Sequence, residues 1–64
     1  MKIKDENAVE NFVDQYVDQN YSDQQLSSKD AIKMHYEIAQ AIKNKDIKNE
    51  NDLVSFMDRF VNNH

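Results

Sequence analysis

Residues 9–17 read Val9-Glu10-Asn11-Phe12-Val13-Asp14-Gln15-Tyr16-Val17. The apolar positions Val9, Phe12, Val13, Tyr16 and Val17 recur at i, i+3, i+4, i+7 and i+8, the one-sided spacing of an amphipathic helix. A strand would alternate with period two, and this stretch does not. The pattern predicts a first helix from about Asp5 to Asn20. Asp5 and Glu6 stand in its first turn, where the helix dipole favours negative charge.

The same spacing returns at Leu53, Phe56, Met57, Phe60 and Val61. Asn49, followed three residues later by Asp52, reads as the N-cap of that last helix. The chain is expected to fray at Asn62, Asn63 and His64. Between the two lies a third helical stretch, from about Lys29 to Asn44. Its apolar positions Ala31, Ile32, Met34, His35, Ile38, Ala39, Ala41 and Ile42 cover roughly half the circumference at 100° per residue. A stripe that wide suits a helix contacted on two sides.

The connectors carry their own signals. Ser22 with Gln25 reads as a capping box, and Tyr21 with Leu26 as its hydrophobic staple, so a single helical turn has room to form there. Ser27 or Ser28 caps the middle helix, with Asp30 three residues after Ser27. Lys45–Lys48 forms the second connector, from which Ile47 is expected to plug the core.

The 64 residues contain no glycine and no proline, the residues on which β-turns depend. The sequence therefore reads as one all-α domain over 1–64, a small three-helix bundle with room for an extra short helical turn between the first two helices. At 39% hydrophobic and 31% charged, with clear periodicity, the chain is foldable rather than disordered. Its core must be marginal, because a chain this short buries only about 60% of its unfolded surface. Domains of this size usually add a disulfide, a metal or a partner. Cysteine is absent, which removes the disulfide and any thiolate metal site. What remains is a partner, a second copy giving a homodimer, or very efficient helix packing.

The opening Met1-Lys2-Ile3-Lys4-Asp5-Glu6 has no apolar signal-peptide core, and no apolar run approaches the ~20 residues of a membrane span. A cytoplasmic location without membrane attachment is expected. Lys, Asn, Ile and Asp are abundant, while arginine occurs once. That bias suits an AT-rich genome, such as that of a low-GC bacterium, its phage or another mobile element.

Charge is segregated by helix. Residues 1–26 carry two lysines against six acids, residues 27–48 five lysines against three acids, and the remainder one arginine against three acids. The net charge of −4 argues against general affinity for nucleic acid or anionic membranes. Glu6, Glu10, Asp14 and Asp18, spaced by four, line one side of the first helix. Like charges at that spacing cost about 0.2–0.5 kcal/mol per pair. Such a stripe is either solvated surface, balanced by Lys29, Lys33 and Lys43 of the next helix, or a docking surface for a basic partner.

Tyr36 projects away from the apolar arc towards Lys29, Lys33 and Gln40. It is either an ordinary exposed tyrosine or an interface anchor, since tyrosine is enriched at binding hot spots. His35, inside the arc, reads as an edge-of-core residue satisfied by a hydrogen bond, with an interface contact or pH switch as the alternatives. Phe12, Tyr16, Phe56, Met57 and Phe60 read as core rather than as a ligand box. Val54, at the rim of its helix, could extend a dimer patch.

No His/Asp/Glu set has zinc spacing, and no cysteine nucleophile, glycine-rich phosphate loop or Ser-His-Asp set is present. No cofactor and no catalysis are expected. The leading expectation is a small acidic protein-binding regulator, an inhibitor, antirepressor or accessory factor, that occludes a basic surface of a partner through Glu6, Glu10, Asp14, Asp18 and Tyr36. The alternatives are a dimeric DNA-binding regulator using the lysines of the middle helix, and a structural subunit of a larger assembly.

Overall fold

A computed structural model describes residues 2–63 and contains three helices: α1 (Glu6–Asn20), α2 (Ser28–Lys43) and α3 (Glu50–Asn62). No strand occurs among the described residues. The chain is an all-α three-helix bundle measuring 30 × 20 × 18 Å. His64 lies outside the described residues, and α3 itself extends through Asn62.

Each helix begins on a side chain that satisfies an otherwise orphaned N–H. The backbone N–H of Ala8 donates to Asp5 Oδ1 at 3.2 Å. Asp30 N–H donates to Ser27 Oγ at 3.3 Å, which makes Ser27 rather than Ser28 the cap of α2. Asp52 N–H donates to Asn49 Oδ1 at 2.9 Å, and Asp52 returns the favour by accepting from Lys48 N–H at 3.0 Å.

In the first connector Ser22 N–H donates to Gln25 Oε1 at 2.9 Å, and the N–H groups of Gln25 and Leu26 both donate to Ser22 O at 3.0 Å. One hydrogen-bonded turn forms there and stops, without becoming a helix. It delivers Leu26 to the core.

α2 ends in a Schellman motif. Asp46 N–H reaches back to Ala41 O at 2.8 Å, and Lys45 N–H to Ile42 O at 3.1 Å. The motif needs a left-handed residue, and Lys45 supplies it at φ 65°. Glycine would hold that conformation without a Cβ clash. Lys45→Gly is therefore expected to stabilise the fold by about 1 kcal/mol, raising Tm by roughly 4–8 °C in a domain of this size. Thermal unfolding followed by circular dichroism checks it, and a Tm equal to or below the parent's would refute the strain at this position. The motif also turns the chain so that Ile47 enters the core, where it is 3% exposed.

The core is Val9 and Val13 from α1, Leu26 and Ile47 from the connectors, Met34, Ile38 and Ala41 from α2, and Leu53 and Met57 from α3. Of the five large residues expected to fill the interior, Met57 alone is fully buried. Phe12, Tyr16, Phe56 and Phe60 are half-buried around it. The centre between three short helices is filled by flexible and branched aliphatic chains, and the rings lie along the seams. Val54 also packs against the core, half-buried.

α2 is contacted on two sides, by α1 and by α3, but not over its whole apolar arc. Ile32 is 72% exposed, and Ala39 is exposed as well. Two neighbouring helices cover only the part of the arc that contains Met34, Ile38 and Ala41.

Candidate protein-binding surface

α1 and α2 run antiparallel, which brings Asp14 of the first to His35 of the second. His35 Nε2 stands 3.1 Å from Asp14 Oδ1. A carboxylate only accepts, so Nε2 is the protonated ring nitrogen in this pairing. Both partners are solvated, with side chains 32% and 64% exposed, so the pair contributes little to stability. Its value is positional: it fixes the acidic side of α1 along the seam with α2. His35 is thus an edge residue satisfied by a hydrogen bond.

Glu6, Glu10, Asp14 and Asp18 are all exposed. None of Lys29, Lys33 and Lys43 forms an ion pair with them among the described residues. The partner of the stripe on α2 is His35, at one position. The remaining carboxylates are turned to solvent.

Towards the N-terminal end of α1 the seam opens into a groove of about 780 Å³. Val9, Ile38 and Ile42 line it together with Glu6, Glu10 and Lys43. Its apolar residues are flanked by charges of both signs.

Tyr36 is 61% exposed, as its position predicted. Ile32, one turn before it and on the apolar arc by periodicity, stands beside it in solvent. Their i, i+4 spacing sets the two side chains next to each other on α2. The structure therefore gathers a row of exposed carboxylates, one histidine and two large exposed side chains on neighbouring parts of the same surface. The charged flank of α2 with Lys29 and Lys33 lies on the other side of Tyr36, towards α3.

A second cluster had no signature in the sequence. The hydroxyls of Tyr16 (at 3.2 Å) and Tyr21 both donate to Asp58 Oδ1 on α3. The two rings meet edge to face with centroids 5.8 Å apart, and Phe12 stacks on Tyr16 at 6.1 Å. Burial first, and the Asp58 carboxylate next, push both phenols above their ordinary value, Tyr21 far above it. This cluster ties α1 and its connector to α3 and is structural.

Among the described residues no three His, Cys, Asp or Glu side chains are placed to hold a metal ion. Nor is any helix among the described residues long and apolar enough to cross a membrane. Comparison with protein-family models, with curated proteins and with solved structures gives no match.

Proposed function

We propose that the chain is a small acidic protein-binding regulator that occludes a basic surface of a partner protein. The observation that carries this reading is the juxtaposition of solvent-facing carboxylates on α1 with exposed Ile32 and Tyr36 on α2. Four like charges in a row cost helix stability, and an exposed isoleucine beside an exposed tyrosine gains nothing within the monomer. A partner would gain from both: the stripe speeds and orients encounter, and the apolar pair slows dissociation.

Charge reversal separates the two contributions. Replacing Glu10, Asp14 and Asp18 with lysine is expected to abolish binding to the basic partner recovered from the native host. Tyr36→Ala is expected to weaken the same binding by roughly 2 kcal/mol, about thirtyfold, through a faster off-rate. Surface plasmon resonance reads both effects. Unchanged affinity in the triple variant would reduce the stripe to solvated surface.

A second reading, a dimeric DNA-binding regulator, is favoured by one observation: Lys29, Lys33 and Lys43 are all exposed on α2 with Tyr36 among them. A gel shift by the purified chain at low salt, with affinity falling steeply as salt is raised, would support it over the first.

A further inference from the structure

The outward face of α2 is bordered by charge of opposite sign on its two sides. The His35–Asp14 pair sets α1 on one side. The cleft shared by Lys33, Glu37, Phe56 and Arg59 sets α3 on the other. Across the face run three bands: Asp14 and Asp18 on the α1 side, Ile32 and Tyr36 in the middle, and Lys29, Lys33 and Arg59 on the α3 side, with Glu37 as the acid among them.

A second copy can be laid on this face about a twofold axis in two ways. With the axis across α2, the two α2 helices run antiparallel and like bands meet, acid on acid and base on base. With the axis along α2, the helices run parallel and each acidic band meets the basic band of the other copy. The levels along the helix match only in the second arrangement. Asp14 stands at the height of His35, and Asp18 lies one turn further towards the N-terminal end of α2, the height of Lys29 and Lys33. A parallel twofold keeps heights unchanged, so Asp14 and Asp18 arrive opposite Lys33 and Lys29. A stable interface needs about 800 Å² from each partner. The chain exposes 4869 Å², and one face of a three-sided bundle can supply that share.

We propose that this face binds a second copy of the chain in a parallel twofold dimer, with Ile32 and Tyr36 at its centre and Asp14 and Asp18 of each copy against Lys29 and Lys33 of the other. The dimer needs no other protein, so it goes beyond the partner reading. It makes the chain's own lysines a competitor for the carboxylates that a basic partner would take.

Two complementary variants test it. Asp14→Lys with Asp18→Lys puts lysine against lysine in a homodimer, and Lys29→Glu with Lys33→Glu puts acid against acid. Sedimentation of the full chain is expected to show a dimer that weakens as salt screens its flanks. Each variant alone should associate at least roughly tenfold more weakly, and an equimolar mixture should recover the dimer, because both flanks of the mixed pair are again opposite in sign. Circular dichroism confirms that each variant is folded, as expected for substitutions at exposed sites. Orientation is read separately. The chain has no cysteine, and Ile32→Cys, in the middle band, should oxidise to a self-linked dimer if the helices are parallel. In the antiparallel arrangement centred on Tyr36, residue 32 faces residue 40 and stays reduced. A parent chain that is monomeric at all concentrations, variants that dimerise alone as well as the parent, or a mixture that stays monomeric would each overturn the proposal. The partner reading is judged apart from it: the Lys29/Lys33 variant retains the acidic stripe, so it loses the dimer and keeps the partner.

Discussion

Replacing Leu53 with alanine is expected to remove about 3 kcal/mol of stability, a large share of what a domain of this size holds. Leu53 is fully buried in a core cluster that also holds Met34, Ile38, Val13 and Met57, themselves fully or almost fully buried. Leu→Ala at such sites costs about 2–5 kcal/mol, the spread reflecting how far the surroundings collapse into the void. Three helices joined by short connectors have little freedom to close it. The whole domain holds about 3–10 kcal/mol at the usual 0.05–0.15 kcal/mol per residue, so one substitution takes a large share. The control is Ile32→Ala. Its side chain is of similar size but 72% exposed, and its removal should stay within about 0.5 kcal/mol in the monomer. Thermal unfolding at low protein concentration measures both. Equal losses at the two positions would mean that α2 is rotated from the orientation described.

That comparison also shows where the sequence was legible. The helices were readable because their signals are local: a capping side chain and its N–H lie three residues apart, and a helix face repeats every three to four. Ser27 and Asn49 cap as their types and spacing require, whereas Asp5, expected inside the first turn, is instead the cap of α1. The exposure of Ile32 was not readable. Periodicity reports that a residue lies on an apolar arc, but how much of the arc is covered depends on the number of neighbours, and two short helices cover less than α2 offers.

The acidic stripe was legible as a row, because its spacing is local, whereas its pairing with His35 was not. The lysines of α2 carry the stronger charge, but the antiparallel packing sets the histidine against Asp14. The left-handed turn at Lys45 was hidden for another reason. Glycine usually marks that conformation, and this chain has none. The Tyr16–Tyr21–Asp58 cluster was the least visible of all, since its members come from opposite ends of the chain.

The cluster supplies the second large effect. Asp58→Ala deprives two tyrosine hydroxyls of their shared acceptor. Hydrogen bonds to charged groups contribute about 1.5–3 kcal/mol each when buried. Here the hydroxyls are half-buried and water replaces part of the loss, so the expected cost is about 2 kcal/mol, or roughly 10 °C in Tm. Pairing with Tyr21→Phe in a double-mutant cycle should give a positive coupling of about 1 kcal/mol or more, because both changes remove the same bond. Additive losses would mean that the bond holds nothing.

The pH dependence gives an independent reading of the same cluster. Both phenols titrate above their ordinary value in the folded chain, through burial first and then the nearby Asp58 carboxylate. The fold therefore favours the protonated hydroxyls. That contribution is complete below the unfolded phenol pKa of about 10 and is lost as pH rises through the folded values. Stability should fall steeply above about pH 10 in the parent. Asp58→Asn keeps an acceptor but removes the negative charge, so the phenols should ionise at lower pH than in the parent while remaining held by burial. Ultraviolet titration of the phenolates, read beside unfolding curves, distinguishes the charge from the hydrogen bond. If ionisation in Asp58→Asn follows the parent curve, burial alone raises the phenols and the carboxylate serves only to join α3 to α1.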